Sequence, residues 1–144
     1  AAPFSTDKVF IGGVWRPAGG EATLPIENPS TGEVMGQLAA GTAADVDAAV
    51  QAARAAFDGD WGRMTAVERG RILARMGREV EARIDLLAEL EALDVGKPLK
   101  QARNDVIALA RYLEFYAGAA DKLHGETIPF QDGYTVYTLR EPPG

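Results

Sequence analysis

The sequence predicts an α+β chain: short N-terminal strands, then an antiparallel helical hairpin, then a C-terminal strand. Three observations lead there. Residues 8–27 alternate β-prone runs with Gly and Pro breaks. Residues 42–122 carry apolar residues at spacings of three and four, punctuated by cap signals. Residues 135–140 return to a β-prone alternation.

Val9-Phe-Ile11 and Val14-Trp15 flank Gly12-Gly13, which permits a hairpin turn. Ala22 to Ile26 forms a further extended piece, because Leu24 precedes Pro25 and is pushed out of the helical region. Asn28-Pro-Ser-Thr-Gly32 is a turn in which Pro sets φ, Asn and Ser bond nearby backbone, and Gly permits positive φ. Glu33 to Ala39 reads as a strand.

Thr42 caps a first helix with Asp45 in its first turn, and Val46, Ala49, Val50, Ala53 and Phe57 form its apolar face until Gly59. Thr65-Ala-Val-Glu68 is a capping box. Ile72, Leu73, Met76 and Val80 follow it as one stripe. Ile84, Leu87, Leu90 and Leu93 form another after a break near Arg83. Gly96 closes that helix in the left-handed conformation and Pro98 opens the next. In the next, Ala102, Val106, Leu109, Leu113, Tyr116 and Ala120 are the predicted seam, with Gly125 as the stop. The helices are thus expected near 42–57, 65–94 and 98–122. The short turn at Gly96 lays the last two antiparallel. Gln131-Asp-Gly133 is the turn before the final strand.

The 144 residues are 47% hydrophobic and 25% charged, an ordinary globular balance. A net charge of −6 argues against a general nucleic-acid binder. The chain has no cysteine and one histidine, which excludes disulfides, a thiol nucleophile and a multi-His metal site within it. No apolar run is long enough to span a membrane. The first residues lack the basic-then-apolar order of a secretion signal, so a cytoplasmic location is expected. The missing initial Met and the Pro142-Pro-Gly144 ending suggest a piece of a longer polypeptide.

Asp94 is the strongest single candidate for chemistry. A carboxylate in a final helical turn faces the negative end of the dipole. Together with free helix-end carbonyls it offers hard oxygen ligands to an alkali or alkaline-earth ion. The alternative is that Asp94 caps the next turn or pairs with Lys97. His124 before Gly125 reads as a helix-end residue bonding free carbonyls rather than a catalyst. The arginines of 63–83, interleaved with Glu68, Glu79 and Glu81, read as a solvated face. Glu89 and Glu91 diverge on a helix and make no dyad. Tyr112, Phe115 and Tyr116 read as core. The Gly12-Gly13 and Gly19-Gly20 pairs lack the following helix of a phosphate cradle.

Several segments, in order, resemble one family. They are Phe10-Ile-Gly-Gly-Val-Trp15, Asn28-Pro-Ser-Thr-Gly-Glu33, Ala48 to Phe57, Arg69-Gly-Arg-Ile-Leu73, Leu93-Asp-Val-Gly-Lys-Pro98, Phe115-Tyr-Ala-Gly118, Ala120-Asp-Lys-Leu-His-Gly125 and Tyr137 to Gly144. Together they resemble the opening of NAD(P)-dependent aldehyde dehydrogenases, whose parent fold is α/β. The resemblance implies a molecule roughly three times this length. Its catalytic Cys, general-base Glu, oxyanion-hole Asn and Gly-rich cofactor turn would lie beyond residue 144, leaving this segment inactive alone. It further implies that residues 1–125 belong to the cofactor-binding domain and 126–144 begin the oligomerisation arm of a homo-dimer or homo-tetramer. By the same resemblance, the backbone of Ile26 and Glu27 and the side chain of Asp94 would bind a sodium or potassium ion. The helix from Pro98 would line the aldehyde tunnel with Asp105, Ala108 and Tyr112. Family members acting on amino-aldehydes often carry acids there. Asp105 matches one such position and Ala108 replaces a second, which argues against an amine-bearing substrate. Asp105 as an ordinary solvated helix residue stays open beside this. A free-standing helical interaction or scaffold module of the same ancestry is the alternative to an enzyme segment.

Overall fold

A computed structural model describes residues 6–142. The start residues weighed as a possible secretion signal, 1–5, and the final Pro143-Gly144 of the family-like ending lie outside them. The elements run β1 (Val9–Ile11), β2 (Val14–Arg16), β3 (Thr23–Glu27), β4 (Val34–Ala39), α1 (Ala43–Asp58), α2 (Asp60–Arg63), α3 (Ala66–Glu81), α4 (Ile84–Val95), α5 (Leu99–Ala119), β5 (Thr127–Ile128) and β6 (Val136–Tyr137). The predicted α+β class holds, and the strands form three separate antiparallel pairs, β1-β2, β3-β4 and β5-β6.

Gly12 and Gly13 take φ of +61° and +82° between Ile11 and Val14, the left-handed pair that a two-residue hairpin requires. Phe10 and Trp15 pair across the ribbon with ring centroids 5.0 Å apart. In β3-β4 the register slips between Ile26, opposite Gly36, and Glu27, opposite Val34. That bulge interrupts the regular ladder where the chain enters the 28–32 turn. The turn closes with Gly32 N–H on the Asn28 carbonyl at 2.7 Å and Ser30 N–H on Asn28 Oδ1 at 2.9 Å.

Both predicted N-caps form. Thr42 and Asp45 make a full capping box, as do Thr65 and Glu68. Asp45 reaches further, because its Oδ2 also accepts the Gly19 N–H at 2.9 Å and so ties the loop after β2 to the start of α1. The helix break falls at Ala82–Arg83, as expected. Gly96 ends α4 at φ +70° with its N–H on the Ala92 carbonyl.

The first half of α5 packs on α4 and the second half on α3. Ala88, Ala102 and Val106 form the buried centre, surrounded by Val80, Ile84, Leu87 and Ala92. Against α3 the contact is closer. A Cβ on Gly70 would sit 2.5 Å from the Ala117 carbonyl oxygen, and one on Gly77 would sit 3.4 Å from that of Ala110. The two backbones therefore approach antiparallel through glycines and alanines. This corrects the predicted seam: Ala110 is buried, whereas Leu109 and Tyr116 are exposed. Small residues, not large ones, face a partner whose own Cβ atoms are missing.

Other expectations are corrected too. The long helix stops at Ala119, not at Gly125. Gly125 is a glycine for another reason, since any Cβ there would overlap the Thr138 carbonyl. His124 therefore does not cap a helix; its carbonyl accepts from Arg140 Nε at 3.4 Å. The final strand shortens to Val136–Tyr137 and pairs with Thr127–Ile128, which the sequence reading left unassigned. Val46, Val50 and Phe57, the predicted apolar face of α1, are exposed, as are Met76 and Leu93.

The accessible surface is 10930 Å² for 15.3 kDa. A self-contained protein of this mass exposes about 7,100 Å². The buried core consists of Ala88, Ala102, Val106 and Ala110 among the described residues, with no large side chain fully covered. Extended apolar faces are thus left open.

Candidate functional site

Two of the sequence motifs meet in space. The turn at Asn28–Gly32 packs on the α4–α5 reversal, where a Cβ on Gly96 would lie 2.8 Å from Pro29 Cγ and 3.6 Å from Ser30 Oγ. Glycine at this position meets both a positive φ and a close approach. Ile26 and Glu27 lie at the bulge leading into that turn, and Asp94 lies in the last turn of α4, two residues before Gly96.

Asp94 is exposed and does not pair with Lys97. Lys97 instead bonds Glu91, one helical turn before Asp94, and Asp105 Oδ2 at 2.8 Å on the first turns of α5. Gln101 Nε2 donates to the other Asp105 oxygen at 2.9 Å. The bond to Asp105, and next that to Glu91, hold the Lys97 ammonium above its ordinary pKa. The same ammonium, and next Gln101, hold the Asp105 carboxyl below its own. Asp94 itself has no cationic partner among the described residues.

Asp105, Ala108 and Tyr112 share one face of α5, at spacings of three and four. Asp105 and Ala108 are half-buried and Tyr112 is 63% exposed. Tyr112, Phe115 and Tyr116 were all expected in the core, and all three are exposed; Phe115, at 67%, and Tyr116, at 58%, stack edge-to-face with centroids 5.2 Å apart. The reason is that α3 and α4 cover the alanine-lined side of α5 and leave the aromatic side open.

No group of three or more His, Cys, Asp or Glu side chains that could hold a metal ion exists among the described residues. An ion beside Asp94 would therefore need backbone carbonyls as well as that carboxylate. The positive-φ glycines at 12, 13, 32, 96 and 133 sit in turns between strands, in the turn after Asn28 or at a helix C-terminus, and none opens a helix N-terminus toward a phosphate. Sequence reasoning missed the Glu91–Lys97–Asp105 bridge, because its members lie six and eight residues apart and meet only once Gly96 reverses the chain.

The arrangement is a turn packed on a helix reversal, beside one open aromatic helix face. Comparison with known proteins places it. The profile of the Aldehyde dehydrogenase family matches residues 15–144. The chain belongs to that family. It is 46% identical over 141 residues to the mitochondrial aldehyde dehydrogenase of Equus caballus and 45% identical to that of Homo sapiens. These alignments cover 96% of this chain and 28% and 27% of those proteins, so the chain spans under a third of the curated relatives it matches. A solved Burkholderia cenocepacia protein assigned as an aldehyde dehydrogenase superposes with TM-score 0.90 at 57% identity, over 94% of this chain and 28% of that one. The NAD+ complex of Bacillus cereus aldehyde dehydrogenase superposes with TM-score 0.90 at 38% identity, over 96% and 28%. No helix among the described residues is long and apolar enough to cross a membrane. The curated relatives named here are mitochondrial, and no residue of this structure carries the expectation of a cytoplasmic location.

Proposed function

We propose that this chain serves as the N-terminal part of an enzyme that oxidises an aldehyde to a carboxylic acid with NAD+ or NADP+. The observation that carries this reading is the collinear match of 96% of the chain to little more than a quarter of known aldehyde dehydrogenases. The open faces of α1 and α5 fit it, because a hydrophobic surface of that extent needs a cover. The cover is the remainder of the same polypeptide.

In this reading the chain supplies no reacting group. It has no cysteine, and the thiolate that attacks the aldehyde comes from the later sequence. Residues 1–125 brace the cofactor-binding domain, and residues 126–144 begin the arm that joins subunits of a homo-dimer or homo-tetramer. Ala108 and Tyr112 face the aldehyde tunnel. Asp105 contributes less charge there than its sequence position implies, since Lys97 neutralises it. The backbone of Ile26 and Glu27 and the carboxylate of Asp94 hold a sodium or potassium ion, which steadies the corner and takes no part in the chemistry.

The test is to assay the intact gene product, and residues 1–144 expressed alone, for aldehyde-dependent formation of NADH or NADPH. Activity in the first and none in the second is expected. A gene product that ends at Gly144 and folds as an inert monomer would overturn the reading in favour of a free-standing interaction or scaffold module.

A further inference from the structure

The chain contains two Asp-Gly steps, Asp58-Gly59 and Asp132-Gly133, and the fold treats them differently. Gly59 joins α1 to α2. Its N–H donates to the Ala56 carbonyl at 3.3 Å, and a Cβ there would lie 2.6 Å from the Ala55 carbonyl oxygen, so the backbone is packed and its amide engaged. Asp132 and Gly133 occupy the middle of the exposed turn between β5 and β6. That turn is closed by the Tyr134 N–H on the Gln131 carbonyl at 3.2 Å, which leaves the Gly133 N–H without a partner among the described residues. Gly133 has φ +84°, and a Cβ there would meet nothing within 4 Å.

We propose that Asp132 is a site of spontaneous backbone isomerisation, converting to isoaspartate through a cyclic imide with Gly133, while Asp58 is protected. The amide nitrogen of Gly133 attacks Cγ of Asp132. The N–Cγ bond forms, the C–OH bond of the protonated carboxyl breaks, and that hydroxyl leaves with the amide proton as water. Water then adds back to one of the two imide carbonyls. Opening at Cγ restores aspartate; opening at the main-chain carbonyl leaves the chain running through the side chain. No oxidant, reductant or cofactor is involved. Ring closure needs a free amide and an unhindered following residue, and the exposed 131–134 turn supplies both. The product carries one extra main-chain carbon in the connection that sets Ile128 opposite Val136. It is a substrate for the class of enzyme that methylates isoaspartyl carboxylates from S-adenosylmethionine.

The experiment ages the intact protein at neutral pH and physiological temperature. Isoaspartate is then located by labelling with an isoaspartyl methyltransferase and radiolabelled S-adenosylmethionine, followed by peptide mapping. Label should accumulate at residue 132 several-fold faster than at residue 58. The variant Asp132→Glu, which would have to close a larger ring, should lose it. Absence of label at 132, equal labelling at 58, or label persisting in that peptide of Asp132→Glu would each overturn the proposal.

Discussion

Lys97 and Asp105 meet across the reversal between α4 and α5, the ammonium 2.8 Å from the carboxylate, with Glu91 on the ammonium's other side. One cation thus ties the end of one helix to the start of the next. We predict that Lys97→Met and Asp105→Asn each lower the melting temperature of the intact protein by a few degrees. The double variant should lose less than the sum, since both remove the same contact. The loss should shrink in high salt, because the pair is partly open to solvent. The pH sign also follows. Lys97, raised above 10.5, stays charged through the neutral range. Asp105, lowered from 3.8, contributes stability that is present above that value and fades as pH falls below it. Additive losses in the two variants would show that the bond does not couple the helices.

The glycines of α3 give a paired prediction. Gly70→Ala places a methyl carbon 2.5 Å from the backbone oxygen of Ala117, which the helix cannot yield without moving. A destabilisation of about 1–3 kcal/mol is expected, as for overpacked cores. At Gly77 the nearest atom lies 3.4 Å away, and helix propensity returns up to about 1 kcal/mol, so Gly77→Ala should be near neutral. Denaturant unfolding of both variants measures the difference. Equal effects would contradict the backbone-to-backbone contact at Gly70.

These glycines also show what could be read in advance. Caps, turns and helix breaks are local chemistry, and Thr42, Thr65, Gly12-Gly13 and Gly96 announced them correctly. Which face of a helix is covered is not local. Leu109 and Tyr116 satisfied the apolar spacing, yet Ala110 took the buried place, because the opposing helix carries Gly70 and Gly77 and rewards close approach over bulk. The exposed face of α1 and the aromatic side of α5 were legible as apolar. That they are left open depends on what the rest of the family fold brings against them. At the candidate site, Asp94 stood out by its position against the helix dipole. The competing claim of Lys97 was settled only by the geometry that sends Lys97 to Glu91 and Asp105.

Asp45 should mark the acid limb of stability. Its carboxylate accepts from the Thr42 N–H first, then the Gly19 N–H, then the Thr42 hydroxyl, and its pKa falls from 3.8 to about 2. An unfolded chain therefore takes up the proton before the folded one does. The stabilisation is complete above 3.8 and is lost as pH falls through about 2. Asp45→Asn should be less stable than wild type at neutral pH, and the gap should close between those two values in urea melts. A gap that stays constant down to the lower value would mean that shape, not charge, holds the 19–45 connection.

Asp94 gives the last prediction, for the intact protein. If its carboxylate and the Ile26–Glu27 backbone hold a monovalent ion, potassium or sodium should raise the melting temperature more than a bulky organic cation at equal ionic strength. Binding to the folded state alone stabilises it by mass action, and only a cation of the right size can bind. Equal ionic strength matters because the Lys97 bridge responds to screening, and only a size-dependent difference reports on the site. Asp94→Ala should erase that difference, while Lys97→Met should leave it, since Lys97 bonds Glu91 and Asp105 rather than Asp94. An ion preference that survives Asp94→Ala would remove the carboxylate from the site. The corner formed by Pro29 against Gly96 would then stand as packing alone.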